Sequence, residues 1–284
     1  MTHETAPDHT APDHTADDDR FSITTWNINS VRLRIGLVER FLKLRRPDVL
    51  VLQEIKCVND AFPAKHFQRL GYWHHAVHGQ KGYHGVAIVS RHPLTRIAST
   101  DYCAKGDTRH VEAVVETPVG PWRIHDFYVP AGGDVPDREA NPKFAHKLDF
   151  IEEVRALEHT RDDLPSLLLG DLNIAPLETD VWSHKQLLKV VSHTPVETDA
   201  LTRVMREQGW MDLLRQHVPP SEKLFTWWSY RSPDWAKADK GRRLDHIWSS
   251  PSIAPHLSDI EILREARGWE RPSDHVPVTA TFRF

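Results

Sequence analysis

Apolar positions change period several times along the chain, and each change marks an element. Residues 21–28 are rich in β-branched and aromatic side chains and predict a strand. Leu33, Leu37, Phe41 and Leu44 recur at helical spacing, so a helix is expected to run to about Arg46, with Pro47 ending it. Val49, Leu50, Val51 and Leu52 form an unbroken apolar run, the pattern of a strand covered on both faces. Further strands are expected at 84–90, 111–116 and 123–129. Phe144, Leu148, Ile151, Val154 and Leu157 mark a long amphipathic helix, and Leu167-Leu168-Leu169 a second buried strand. Strands at 225–230, 243–248 and 276–284 complete a β-rich C-terminal half. Strands and helices mixed throughout predict one α/β domain over residues 21–284 with more than one covered sheet.

Residues 1–20 break this patterning. They are rich in Pro, Asp, His and Thr, they repeat Ala-Pro-Asp-His-Thr at 6–10 and 11–15, and they hold too few apolar groups to offset ordering entropy, so a disordered tail is expected. They also change the reading of charge. The whole chain has 36 bases and 40 acids; the first 20 residues hold six acids and one base, leaving 35 and 34 in the body. A near-neutral body can carry a basic face if its acids gather elsewhere, for instance around a metal. Mean hydropathy is −0.51. No apolar run approaches the roughly 20 residues of a spanning helix, and the first 20 residues lack the apolar stretch of a secretory signal. A soluble cytoplasmic protein is expected, and Cys57 and Cys103 read as ordinary thiols.

Candidate chemistry lies where apolar strands end. Asn27 and Asn29 follow the first strand, Gln53 and Glu54 the run 49–52, Asp171 and Asn173 the run 167–169. Asp245 and His246 interrupt a later strand, and Ser273-Asp274-His275 precede the last one. Strand ends present side chains rigidly in an α/β scaffold. Singly, Glu54 could start a helix, Asp171 could cap a turn and His275 could sit on the surface beside Asp274. Five such motifs in one chain point instead to a site. Glu54 and Asp274, helped by Asn29, suit a hard divalent cation, since Mg²⁺ needs few carboxylates beside water and phosphate. Asp171 could orient or deprotonate water, and a carboxylate-held His could stabilise charge on phosphoryl oxygens. There is no Gly-rich phosphate loop and no dinucleotide fingerprint.

Seven segments occur in register: Trp26-Asn27-Ile28-Asn29-Ser30-Val31-Arg32, Leu52-Gln53-Glu54-Ile55-Lys56, residues 82–87, Tyr128-Val129-Pro130-Ala131-Gly132, Gly170-Asp171-Leu172-Asn173-Ile174, Arg243-Leu244-Asp245 and Ser273-Asp274-His275. Together they resemble the exonuclease III family of abasic-site endonucleases, within the endonuclease/exonuclease/phosphatase superfamily. The resemblance implies a four-layer α/β sandwich, with two mixed β-sheets face to face and helices outside. It implies a DNA-repair phosphodiesterase that cuts 5′ to abasic sites and trims 3′ ends, as a monomer on double-stranded DNA (at the nucleoid in a bacterium), with Mg²⁺ that Mn²⁺ can replace. Glu54 matches the metal-binding glutamate, Asp274 the aspartate at the metal site, Asp171 the residue handling water and Asn173 its neighbouring amide. Asp245 and His275 match an Asp–His pair; Asn27 and Tyr128 match residues that position phosphate and metal-bound groups.

For substrate contact, Trp227 matches the aromatic wall for a base-less sugar, and Trp269 stands close to Ser273-Asp274-His275. Lys237, Lys240, Arg242 and Arg243 form a basic loop leading into Asp245, and Arg32 and Arg34 follow the first strand; both clusters are candidates for backbone phosphate. Three positions depart from the family pattern: His84 replaces Asn or Ser, Trp227-Trp228 replaces a Trp-Phe or Phe-Trp pair, and Trp269 replaces Met. These bear on substrate preference rather than on the reaction. The alternatives are a hydrolase of the same superfamily acting on phosphoinositide, sphingomyelin or RNA, and an inactive binding scaffold.

Overall fold

The computed structural model describes residues 19–157 and 163–284. The expected disordered tail lies outside the described residues, apart from Asp19 and Arg20. Fourteen strands follow in chain order among the described residues. They are β1 (Arg20–Asn27), β2 (Val49–Gln53), β3 (His74–His78), β4 (Val86–Ser90) and β5 (Leu94–Ala98). Next come β6 (His110–Thr117), β7 (Gly120–Tyr128), β8 (Ser166–Asp171), β9 (Met211–Asp212) and β10 (Trp227–Trp228). The last four are β11 (Gly241–Arg242), β12 (Asp245–Ser249), β13 (Leu257–Ile262) and β14 (Val278–Arg283). One six-stranded sheet has the order β13-β14-β1-β2-β4-β3, the other β5-β6-β7-β8-β12-β9, and β10 and β11 form a short ribbon.

Each large sheet contains one parallel pair among antiparallel neighbours: β1 with β2, and β7 with β8. A parallel connection needs a crossover. The helix Ile35–Arg45 supplies the first and the helix Pro142–Arg155 the second. Side chains of period two then sort the layers. Val49, Val51, Leu167, Leu169, Val111, Ala113 and Ile247 pack between the sheets. Leu50, Leu52 and Trp26 face outward onto Val38, Phe41 and Leu42 of the first helix. Leu168 and Phe127 face outward onto Phe150, Ile151 and Val154 of the second. The continuous runs 49–52 and 167–169 are therefore apolar on both faces because both faces are covered.

The helices depart in detail from the sequence reading. The first starts at Ile35, its buried stripe is Val38, Phe41 and Leu42, and Leu33 and Leu44 are exposed. In the second, Leu148 is only half-buried while Lys147 is fully buried. The strand expected at 225–230 shrinks to β10, and the last strand starts at Val278. The patterning missed β11 of the short ribbon and, in the two large sheets, β3, β5, β9 and β13, the four sheet edges. An edge strand is covered on fewer sides, so β5, with Leu94 half-buried and four exposed residues, carries little apolar signal. The helix Pro195–Glu207 was also missed, although Thr194 and Glu197 form a capping box at its start.

Candidate active site

Both parallel pairs end at the same rim of the sandwich. In the first sheet Asn27 pairs with Gln53, so Glu54 follows directly beside Asn27. In the second, Tyr128 pairs with Asp171, and Asp171 pairs on its other side with Asp245. One amide ties a carboxylate of each sheet to the other: Asn27 Nδ2 donates to Glu54 Oε1 at 3.0 Å and to Asp171 Oδ2 at 2.9 Å. The backbone turns sharply just past the strands. Asn29, Glu54 and Asn173 take left-handed φ values of 48°, 52° and 54°. Such conformations are held only where the surroundings fix them, and they cluster at functional sites. For Glu54 the fixing contacts are Ser30 N–H to its carbonyl at 2.7 Å and Ile55 N–H to Gly85 O at 3.1 Å.

Asp171 is saturated with donors. Besides Asn27, the Asn173 main-chain N–H reaches Oδ1 at 2.9 Å and Asn173 Nδ2 reaches Oδ2 at 3.2 Å. His275 donates through Nδ1 to Asp245 Oδ2 at 2.9 Å, which turns Nε2 to within 3.6 Å of Asp171 Oδ2. Ser273 Oγ bonds Asn27 O at 2.6 Å and accepts from His275 N at 3.2 Å, fixing the segment before β14 against β1. Burial pushes the Asp171 carboxyl up to about 7, with Asp245 and Glu54 adding to the rise against His275 and Asn27. Burial would lower His275, but the facing carboxylates of Asp245 and Asp171 outweigh it and raise the imidazole to about 10. The site thus holds a carboxyl that exchanges protons near neutrality beside an imidazolium kept charged by its partners.

The Glu54 side is arranged for charge. Tyr128 OH donates to Glu54 Oε1 at 2.9 Å. Burial and the neighbouring carboxylates keep that phenol protonated, its pKa well above the ordinary value. Burial raises the Glu54 carboxyl, but Lys56 and the Asn27 hydrogen bond prevail, leaving it below the usual range. Lys56 Nζ lies 2.8 Å from Glu54 Oε2 and 2.6 Å from Asn29 Oδ1, so a cation already bridges these two oxygens. Asn29 Nδ2 is 3.4 Å from Asp274 Oδ1, and Trp227 Nε1 donates to Asp274 Oδ2 at 2.9 Å. Glu54, Asp274 and the amide oxygens form an all-oxygen donor set that fits a hard divalent ion. Two other groups of three potential ligands lie within 4.8 Å of one another among the described residues: Asp171–Asp245–His275 and His110–Glu112–His125. In the first, the ligand atoms already face one another, His275 Nδ1 lying 2.9 Å from Asp245 Oδ2 and Nε2 3.6 Å from Asp171 Oδ2. In the second, Thr100 N–H meets His110 Nδ1, which places the His110 proton on Nε2 toward His125 Nδ1, 3.2 Å away.

A cleft of about 820 Å³ opens onto these groups, lined among others by Glu54, Tyr128, Asp171, Asn173, Asp274 and His275. Trp227 forms one wall, its indole N–H tied to Asp274 and its ring 5.3 Å from the Arg242 guanidinium. Arg242 is anchored through Val191 O and Ser192 Oγ at 3.0 and 2.6 Å. Other sequence candidates lie elsewhere. Trp269 is buried edge-on to Trp26 under Arg40, as part of the core. Arg243 is fully buried in ion pairs with Asp180 and Asp212, so it is unavailable to phosphate. Arg34 is engaged by Asn29 O, Arg271 O and Tyr230 OH, and Arg32 is exposed outside the cleft lining. The sequence reading gave no role to Lys56, Arg109 or Trp182. Arg109 stacks 4.8 Å from the Tyr128 ring and donates to Tyr128 O at 3.2 Å; no local pattern marks it. Trp182 lines the cleft with Lys240 at 4.6 Å over its ring.

Fold and site together define a hydrolytic nuclease. The chain belongs to the endonuclease/exonuclease/phosphatase family, which it matches over residues 24–275. It is 32% identical over 271 residues to the exodeoxyribonuclease III of Haemophilus influenzae, covering 91% of this chain and 98% of that one. It resembles an AP endonuclease structure from Archaeoglobus fulgidus with a TM-score of 0.85 and 31% identity, covering 92% and 99% of the two chains. It resembles the 3′–5′ exonuclease NExo of Neisseria meningitidis with a TM-score of 0.84 and 36% identity, covering 93% and 100%. The two six-stranded mixed sheets with flanking helices are the fold of these neighbours. Among the described residues no helix is long and apolar enough to cross a membrane.

Proposed function

We propose that this protein is a DNA-repair phosphodiesterase that cuts 5′ to abasic sites and trims 3′ ends by magnesium-assisted attack of water on phosphorus. The observation that carries this reading is the convergence on one cleft of a near-neutral carboxyl, Asp171, and a charged imidazole, His275, beside the oxygen donors Glu54 and Asp274. Asp171, oriented by Asn27 and Asn173, accepts the proton of the attacking water; a base titrating near the working pH suits that task. His275, held by Asp245, faces the developing negative charge on the phosphoryl oxygens with a fixed positive one. Tyr128, protonated and bonded to Glu54, presents a hydroxyl at the same rim. Glu54 and Asp274, with Asn29 and Asn27, would hold the Mg²⁺, which supplies positive charge to polarise the phosphoryl group. Trp227 and Arg242 give the cleft an aromatic wall for a base-less sugar and a cation for the backbone. An abasic nucleotide costs little to extrude because it has no base to unpair. A relative of this fold, the Neisseria 3′ phosphatase NExo, has been seen with a product DNA hairpin.

The test is a side-by-side rate comparison on abasic duplex, blunt duplex and 3′-phosphate DNA, after chelation and with Mg²⁺ or Mn²⁺ restored. Metal-restored hydrolysis of at least one DNA substrate supports the reading. Hydrolysis of phosphoinositide or sphingomyelin in preference to all three would overturn it.

A further inference from the structure

Lys147 is a lysine shut off from solvent. It sits on the inner face of the helix Pro142–Arg155 at 0% exposure, and its ion-pair partner Glu197 is equally buried. A buried charge pair seldom stabilises a fold more than apolar residues of the same size would. What the ammonium touches suggests another use. Nζ lies 2.6 Å from Glu197 Oε1, 2.8 Å from Asn173 O and 3.3 Å from Ala131 O, so its three hydrogens serve three partners. Asn173 is the left-handed residue whose main-chain N–H and side-chain amide both hold Asp171. The Ala131 contact continues in Gly132, at φ 89°, where an added Cβ would lie 2.9 Å from Lys147 Cδ; the cleft-lining loop rests on the lysine stem. Glu197 in turn accepts from Ser192 N at 2.9 Å and Thr194 Oγ1 at 2.6 Å, anchoring the opposite cleft wall.

We propose that Lys147 is a positioning residue for the hydrolysis: by holding the Asn173 carbonyl from behind, it keeps Asn173 left-handed and so aims both of its donors at Asp171. The proposal rests on the reading of Asp171 as the reacting carboxylate. It also explains why a charge is present here at all. A methylene chain could fill the volume, but only a three-fold donor can hold two loop carbonyls and the Glu197 carboxylate together.

Three variants test it: Lys147→Met, Glu197→Gln and the double variant. Lys147→Met alone leaves Glu197 charged and unpaired, so it should lose stability. Glu197→Gln alone leaves the ammonium unpaired in the same way, whereas Lys147→Met with Glu197→Gln removes both charges and should fold with a melting temperature above either single variant. In that folded double variant kcat should fall on the order of 10–100-fold with KM changed less than about 3-fold, because a misaimed base damages the transition state rather than binding. The fall should be equal on abasic duplex and on 3′-phosphate DNA, which share Asp171. A kcat within about 3-fold of wild type would overturn the proposal, as would losses confined to one substrate. Failure of the double variant to fold would also overturn it, by making the pair a requirement of the fold. Asp171→Asn measured alongside separates the two claims. Turnover surviving there refutes the role of Asp171; turnover lost there but kept in the double variant refutes only that of Lys147.

Discussion

The two sheets contribute to the site from the same topological position yet in different physical states. Each delivers its residues from the carboxyl ends of a parallel pair flanked by antiparallel strands. From the first sheet come Asn27 and Glu54, the latter 19% exposed, ionised and bridged to Asn29 by Lys56. From the second come Asp171 and Asp245, 1% and 0% exposed, in contact with His275 at 5%. The more open end keeps its charge and suits an ion. The closed end displaces pKa values in both directions and suits proton transfer. The difference arises from what packs on each strand end: His275, on the segment before β14, lies against both carboxylates of the second sheet, whereas Glu54 keeps more of its side chain open beside Lys56. One architecture therefore supplies two electrostatic environments a hydrogen bond apart, joined by Asn27 and by the Tyr128 hydroxyl that donates to Glu54.

The most damaging way to break this arrangement is at the closed end. Asp171→Asn and His275→Asn should each lower kcat on the order of 10²–10⁴-fold while duplex binding survives. The double variant should be far less than multiplicatively worse, since both act on one transition state. Single-turnover rates check this; turnover within a few-fold of wild type would sink the mechanism.

Glu54→Gln should act differently, by weakening metal affinity. Its activity should recover partly at high Mg²⁺ or Mn²⁺, whereas that of Asp171→Asn should not. A metal titration of both variants distinguishes the two ends directly, and an unchanged metal requirement in Glu54→Gln would remove it from the ion site.

A smaller effect sharpens the comparison at the cleft wall. Trp227→Ala should slow abasic incision about 10-fold more than 3′-phosphate removal, roughly what one lost aromatic contact is worth. Equal losses would make Trp227 a support for Asp274 rather than a contact to the sugar.

The mildest effect is on stability. The folded pKa of His275 is raised to about 10 from 6.5, so the native state binds the extra proton. Its contribution is fully present below pH 6.5 and is lost as pH rises toward 10. Thermal unfolding in chelator should therefore show a melting temperature falling over that window in wild type. The fall should be shallower in Asp245→Asn, which lacks the main partner raising the imidazole. An identical slope in both proteins would mean that Asp245 does not control the charge on His275.

How much of this could be read from the chain follows from the same physics. Covered strands must be apolar on both faces, so 49–52 and 167–169 stood out, and with them the polar residues Glu54, Asp171 and Asn173 that end them. Asn27 and Ser273-Asp274-His275 were legible for the same reason, as polar breaks beside apolar strands. Edge strands β3, β5, β9 and β13 were not, because half-covered backbone imposes no apolar run. Lys147 had a faint signal: it lies three residues after Phe144 and four before Ile151, on the stripe that faces the core. Periodicity treats a charge there as solvent-facing.

What the sequence by itself determined is which polar side chains stand at strand ends, since local patterning dictates where strands stop. Burial and partnership were decided only by the tertiary structure. Arg243 and Trp269 look like surface contacts in a list of residues, yet one is spent on Asp180 and Asp212 and the other on Trp26. Asp245 stands beside Asp171 because β12 runs antiparallel to β8, a pairing across 74 positions that no local pattern encodes. The charge on His275 follows from that pairing, and the near-neutral titration of Asp171 chiefly from its burial between the sheets. A pKa is set by the groups and the solvent around a side chain in space, and those are fixed only when the two sheets have closed on each other.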